Sequence, residues 1–170
     1  NVQNSPIGTW DATGWLADRE VLIIGAGPSV KRYNDGIIKY VEIHKPAVLE
    51  LNISQSIPAS LVTASVVSLE ARAIFDVLQY RQLNHPIIIP MNRIGKFIDK
   101  YVKDFDIYDY GLDVEKNAFE FQPTGCRLHL PYTICYALAI ANQAGAKMIS
   151  LIGFDGYTSD DPRQSEMNKI

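Results

Sequence analysis

Short, unbroken apolar runs recur along the chain, each closed by a turn-forming residue and separated from the next by amphipathic sequence. Val21-Leu22-Ile23-Ile24 runs into Gly25, Ala47 to Leu51 into Asn52, Ile87-Ile88-Ile89 into Pro90, and Lys147 to Ile152 into Gly153. Ser65 to Leu69 is a further run of this kind. Runs of this length fit strands buried on both faces, as in a parallel sheet. Between them the spacing predicts helices. Asn34 or Asp35 caps a helix over Gly36 to His44, with Ile37, Ile38, Tyr40 and Val41 on its inner side. Glu70 to Leu83 fits a second helix, striped by Ala73, Ile74, Val77 and Leu78. Tyr132 to Gln143 is apolar nearly all round, which predicts a central, buried helix, capped by Gly145. Strands alternating with helices at short intervals predict an α/β fold: a Rossmann-like three-layer sandwich with a mainly parallel sheet.

The stretch from Met91 to Phe121 is less regular. Ile94 to Val102 reads as helical, Asp106 to Tyr110 and Ala118 to Phe121 as strands, and Asp113 to Asn117 as a turn. Residues 1–18 are polar and turn-rich, and read as a linker or entry segment before a Rossmann-like domain over 19–170. Trp10 and Trp15 in that segment are expected to pack on the domain surface, or to dock a preceding domain or a second copy. Asp161-Pro162-Arg163-Gln164 reads as the start of a helix that continues through Met167 to Ile170. A helix breaking off there leads to the expectation that the chain is a piece of a longer protein.

Composition narrows the function. The 170 residues are 47% hydrophobic and 21% charged with a net charge of -3, which describes one globular domain without the basic face that nucleic acid requires. No apolar run reaches the ~18 residues of a membrane span, so no membrane partner is expected. The two cysteines, Cys126 and Cys135, form no CxxC pair, so a reducing, cytoplasmic setting is the expectation. The three histidines are scattered, and neither a metal site nor a cofactor is expected.

Four places carry candidate chemistry. Gly25-Ala26-Gly27-Pro28-Ser29 ends the first strand in a tight loop whose amides, with the Ser29 hydroxyl and the charges of Lys31 and Arg32, suit an anion. Val30 stands where G-x-G-x-x-G requires its last glycine, and no P-loop motif is present. Asn52, at the end of the second strand, suits a ribose or base, having both donor and acceptor, or else caps the next turn. Thr124-Gly125-Cys126 approaches the buried helix and offers a second anion position, or plain capping. Gly153-Phe154-Asp155-Gly156-Tyr157 follows the last strand. There Asp155 suits a sugar hydroxyl or a metal, or bonds its own backbone, and Tyr157 suits a base or phosphate. No G-x-S-x-G elbow or placed carboxylate pair nominates a catalytic residue. Gly25, Gly27, Pro28, Ser29, Asn52, Thr124, Gly125, Asp155 and Tyr157 are therefore the candidate binding residues.

Two resemblances attach to these residues. Gly25 to Val30 resembles the first-strand nucleotide loop of bacterial sialyltransferases that use CMP-sugars, and Asn52, Thr124-Gly125 and Gly153 to Tyr157 follow in the same order. This implies nucleotide contacts at Gly27, Ser29, Asn52, Thr124 and Tyr157, with the family's catalytic histidine in a lid beyond the last motif. Over almost its whole length the chain is similar to the C-terminal domain of bacterial 4-hydroxy-2-oxovalerate aldolase-like proteins, above all at Leu151 to Tyr157 and Asp161 to Met167. Those proteins carry an HMG-CoA-lyase-like TIM barrel in front and look connected to surface-polysaccharide synthesis. The resemblance implies an N-terminal barrel as partner, with any lyase chemistry in that barrel. The reading that follows is an accessory domain binding a nucleotide, nucleotide-sugar or sugar phosphate. The rivals are a transferase domain without its lid, and a non-catalytic assembly module, with which a homo-oligomer would be compatible.

Overall fold

The computed structural model describes residues 7–53 and 56–156. In chain order β1 is Glu20–Ile24, α1 Pro28–Arg32, α2 Asn34–His44, β2 Ala47–Leu51 and β3 Ala64–Val66. Then come α3 Glu70–Tyr80, β4 Ile87–Ile88, α4 Met91–Ile98, β5 Ile107–Tyr108 and β6 Gly111–Val114. The chain goes on through β7 Phe119–Gln122, β8 Gly125–Leu128, α5 Thr133–Gln143 and β9 Met148–Ile152. Six strands form one sheet in the order β5-β4-β3-β2-β1-β9, and every pairing in it is parallel. Helices cover both faces, so the fold is a Rossmann-like three-layer α/β sandwich.

Strand alternation sorts the core. On one face Leu22, Ile24 and Val48 meet Val30, Ile37 and Val41 of α1 and α2, while Val67, Ile87 and Ile89 meet Ala73 and Val77 of α3 and Ile94 and Ile98 of α4. On the other, Val21, Ile23, Leu49, Ala64, Val66 and Ile88 pack with Tyr136, Ala137 and Ile140 of α5. The runs that read as unbroken apolar sequence are those with both faces covered.

A second sheet of three strands, β6-β8-β7, lies outside the main one, with β6 and β8 parallel and β7 and β8 antiparallel. Thr124-Gly125-Cys126, expected to approach the buried helix, instead leads into a strand, since Gly125 and Cys126 begin β8, and β6 covers part of the expected turn at 113–117. The alternation at Ala118 to Phe121 marks β7 in the sequence, whereas the four-residue β6 and β8 carry no such pattern. The second sheet explains why α5 is apolar all round: Leu112, Cys126 and Leu128 share its core cluster with strands of the main sheet.

Residues 7–18, read from sequence as a linker or entry segment, are part of the packed domain. Ala12 and Leu16 are fully buried. Ala12 N–H donates to Pro123 O at 2.8 Å and Leu16 N–H to Ala144 O at 3.0 Å. Trp10 stacks on Tyr108 with centroids 4.7 Å apart and meets Trp15 edge-on at 5.1 Å. Small polar turns mask this role in the sequence, since each buried residue stands alone between them. Among the described residues no helix is long and apolar enough to cross a membrane. The helix expected from Asp161 lies outside the described residues.

Candidate functional site

The carboxyl ends of β1, β2 and β9 open on a common cleft of about 580 Å³, lined by Gly25, Ala26, Gly27, Leu51, Asn52, Tyr132, Thr133, Ile134, Gly153, Phe154 and Gly156. Its place follows from topology. The chain leaves β1 toward β2 on one side, while β9 pairs on the other side of β1. Connections diverging from adjacent strand ends leave a crevice above them.

The first glycine loop is shaped by its own protein. Gly25 N–H donates to Ile152 O at 2.8 Å and Gly27 N–H to Gly153 O at 2.9 Å, which joins the loop after β1 to the loop after β9. A Cβ at Gly27 would stand 2.4 Å from Asp155 Oδ1 and 2.7 Å from Gly153 O. Ser29 then donates twice to Asp155, from its backbone N–H to Oδ2 at 3.0 Å and from Oγ to Oδ1 at 2.6 Å. The anion seat that the sequence offers to a ligand is thus filled by a carboxylate of the same chain. Asp155, expected to meet a sugar hydroxyl, a metal or its own backbone, pins the loop after β9 onto the start of α1. Pro28 opens that helix at its first position.

The Ser29 hydroxyl above all holds the Asp155 carboxyl below its ordinary range, with the Ser29 N–H and Arg32 adding in the same direction. A depressed folded-state value means that this clasp stabilises fully above the unfolded carboxyl value and fades as pH falls through the folded one. The window therefore lies below about pH 4. Melting curves of the wild type and of Asp155→Asn are expected to differ at neutral pH, wild type higher, and to converge below about pH 4. A constant gap down to pH 3 would show that the clasp does not titrate.

Asn52 caps the end of β2 in a left-handed conformation, φ +60°, and its N–H donates to Val66 O at 2.9 Å. Asparagine tolerates that backbone better than most residues. Its side-chain Oδ1 is buried and makes no hydrogen bond among the described residues. Across the cleft, Tyr132 is the residue before α5 and makes no side-chain cap there. Ser68, just after β3, donates its hydroxyl to Pro131 O at 2.8 Å and pairs with Thr133 Oγ1 at 2.9 Å, fixing where α5 begins. Tyr132 and Phe154 remain 44% and 43% exposed in the cleft walls.

Of the residues singled out in the sequence, the cleft brings together Gly25, Gly27 and Asn52, with Ser29, Pro28 and Asp155 clasped at its rim. Thr124 and Gly125 stand elsewhere: Thr124 O accepts from Gly8 N–H and Gly111 N–H, each at 2.9 Å, and Gly125 pairs with Gly111 in the small sheet. Cys126 is buried there, and desolvation pushes its thiol up to about 12, so it is an inert core residue. Tyr157 lies outside the described residues. Sequence reading passed over Tyr132, Thr133, Ile134 and Phe154. Pro131-Tyr132 at the start of the strongest helix was the available signal, eight positions after Thr124. Among the described residues no group of His, Cys, Asp and Glu is placed to hold a metal ion. No family model, no curated protein and no solved structure matches the chain.

Proposed function

We propose that the domain is a binding module for a nucleotide or nucleotide-sugar, held chiefly through its base. The observation that carries this reading is the buried Oδ1 of Asn52, unpartnered among the described residues, at the edge of a cleft walled by two half-exposed aromatic rings. A buried acceptor without a partner favours a ligand that brings an N–H, and a flat heteroaromatic ring brings one together with a face for Tyr132 or Phe154. The clasp between Asp155 and Ser29 argues against a site built around phosphate alone, because the loop amide best placed for an anion already has one. The uncapped start of α5, opening on the same cleft, gives the phosphate of a nucleotide a favourable dipole end. Taken with the resemblance to aldolase-like proteins, the module serves an N-terminal barrel as its ligand-binding accessory.

Thermal melting with nucleosides, nucleoside 5′-monophosphates, UDP-sugars, sugar phosphates and inorganic phosphate tests this. A matching base at ~100 times its Kd adds ~2.7 kcal/mol, on the order of 5–10 °C for a domain of this size. The bare nucleoside is expected to shift the melt and its 5′-phosphate to shift it further, with inorganic phosphate inert. Asn52→Gly keeps the left-handed backbone and removes the amide, and is expected to weaken binding about tenfold. A domain that answers to sugar phosphates or phosphate but to no nucleoside or nucleotide refutes the base-centred site.

A further inference from the structure

The helix α3 is built inside out. Its inner side carries Asp76, 5% exposed and paired with Arg72 at 3.0 Å, beside Ala73, Val77 and Tyr80. Its outer side carries Ile74, Phe75 and Leu78, which are 48%, 79% and 61% exposed. With the exposed Ala71 these residues stand one turn apart and make a continuous apolar row along the solvent side of the helix. An ordinary surface helix turns such a row inward. Here the inward side is already occupied, so a second apolar row has no partner within the described chain.

We propose that this face of α3 is the contact of a two-fold homodimer, formed by α3 packing antiparallel on α3 of a second copy. Charge placement commits the face to its own copy. Glu70 stands at the N-terminal end of α3 and Arg81 directly follows its C-terminal end. At 3.6 residues per turn both fall on the same flank of the apolar row. A two-fold axis crossing the middle of the row preserves that flank and reverses the direction of the helix. It therefore sets Glu70 of each copy beside Arg81 of the other, two identical ion pairs around one apolar centre. Arg81 is held in place by Asp104, with Nη2 to Oδ2 at 2.5 Å, and by the Tyr101 ring at 5.5 Å, and its side chain stays half exposed. Opposed helix dipoles favour the same arrangement. The contact is isologous, so it closes at two copies and leaves the cleft on the carboxyl edge of the sheet open.

Sedimentation velocity of the 170-residue chain across micromolar to millimolar concentrations is the test. The expected species has twice the 19.0 kDa chain mass. Phe75→Glu is expected to weaken the dimer on the order of 100-fold, whereas Phe119→Glu, on the small sheet, leaves it intact. Both side chains are largely exposed, so circular dichroism should report an unchanged fold. Glu70→Gln is expected to weaken association about threefold and to flatten its dependence on salt. A wild-type monomer throughout the range, a dimer indifferent to Phe75→Glu, or open-ended oligomers would each overturn the proposal.

Discussion

Gly153→Ala is expected to destabilise the domain by about 2–5 kcal/mol and to abolish ligand binding in the cleft. Gly153 follows β9 with φ +82°, in the left-handed region where a Cβ is strained. The added methyl would also stand 2.4 Å from Val30 Cγ2 and 2.9 Å from Gly25 O. Val30 cannot yield easily, because it is the buried residue of α1, packed against Ile24 of β1 and Ile37 of α2 in one core cluster. Gly25 O belongs to the backbone of the loop that faces Gly153 across the cleft floor. The loops after β1 and β9 would therefore separate, and the hydrogen bond from Gly27 N–H to Gly153 O would lengthen or break. Gly36→Ala is the matched control. Gly36 lies in α2 with open space around it, and the change should raise stability by about 0.5–1 kcal/mol. Chemical denaturation of both variants measures the contrast, and a Gly153→Ala protein as stable as wild type would mean that the two loops do not meet as described.

The second large effect belongs to Tyr136. Its ring is fully buried in α5, between the main sheet and the small one, and its hydroxyl donates to the carbonyl of Tyr110. Tyr110 in turn donates its own hydroxyl to Gln122 O at 2.9 Å, so two phenols in series tie α5 to the small sheet. Tyr136→Ala removes the ring and is expected to cost about 3–5 kcal/mol. Tyr136→Phe keeps the ring and leaves a buried carbonyl without that donor, at a cost of about 1 kcal/mol. Because α5 begins at Tyr132 and Thr133 in the cleft wall, the alanine variant should also bind ligand more weakly while the phenylalanine variant binds normally. Equal losses from the two substitutions would assign the anchoring to the hydroxyl rather than to the packing of the ring.

What the sequence made legible was whatever its periodicity encodes locally. The strand over Ala47–Leu51 and the start and end of α5 read almost to the residue, because an unbroken apolar run ending in Asn52, and a helix bounded by Pro131 and Gly145, carry their own punctuation. The glycine loops after β1 and β9 read as neighbours of a crevice for the same reason. Long-range pairing was not legible. Asp155 meets Ser29 across 126 positions, and nothing near either residue marks the other as its partner. The same holds for Gly125, whose turn-like sequence continues into a short strand once β6 and β7 stand beside it. The apolar stripe on α3 failed in an instructive way. Ala73 and Val77 face inward as spacing predicts, but Ile74 and Leu78 do not, because Asp76 and Tyr80 take the inner positions. An amphipathic helix with two apolar sides cannot be oriented from its pattern alone.

The pairing of β1 with β9 has a consequence for how the chain acquires its structure. Glu20 is set beside Met148, so β1, the strand next to the edge of the sheet, waits for β9, more than a hundred positions later in the chain, before both its flanks are paired. Closing so wide a loop is slow in entropic terms, and a nascent chain exposes the open flank of β1 until then. On a ribosome the domain should remain protease-sensitive until β9 has emerged, then become resistant in a single late step.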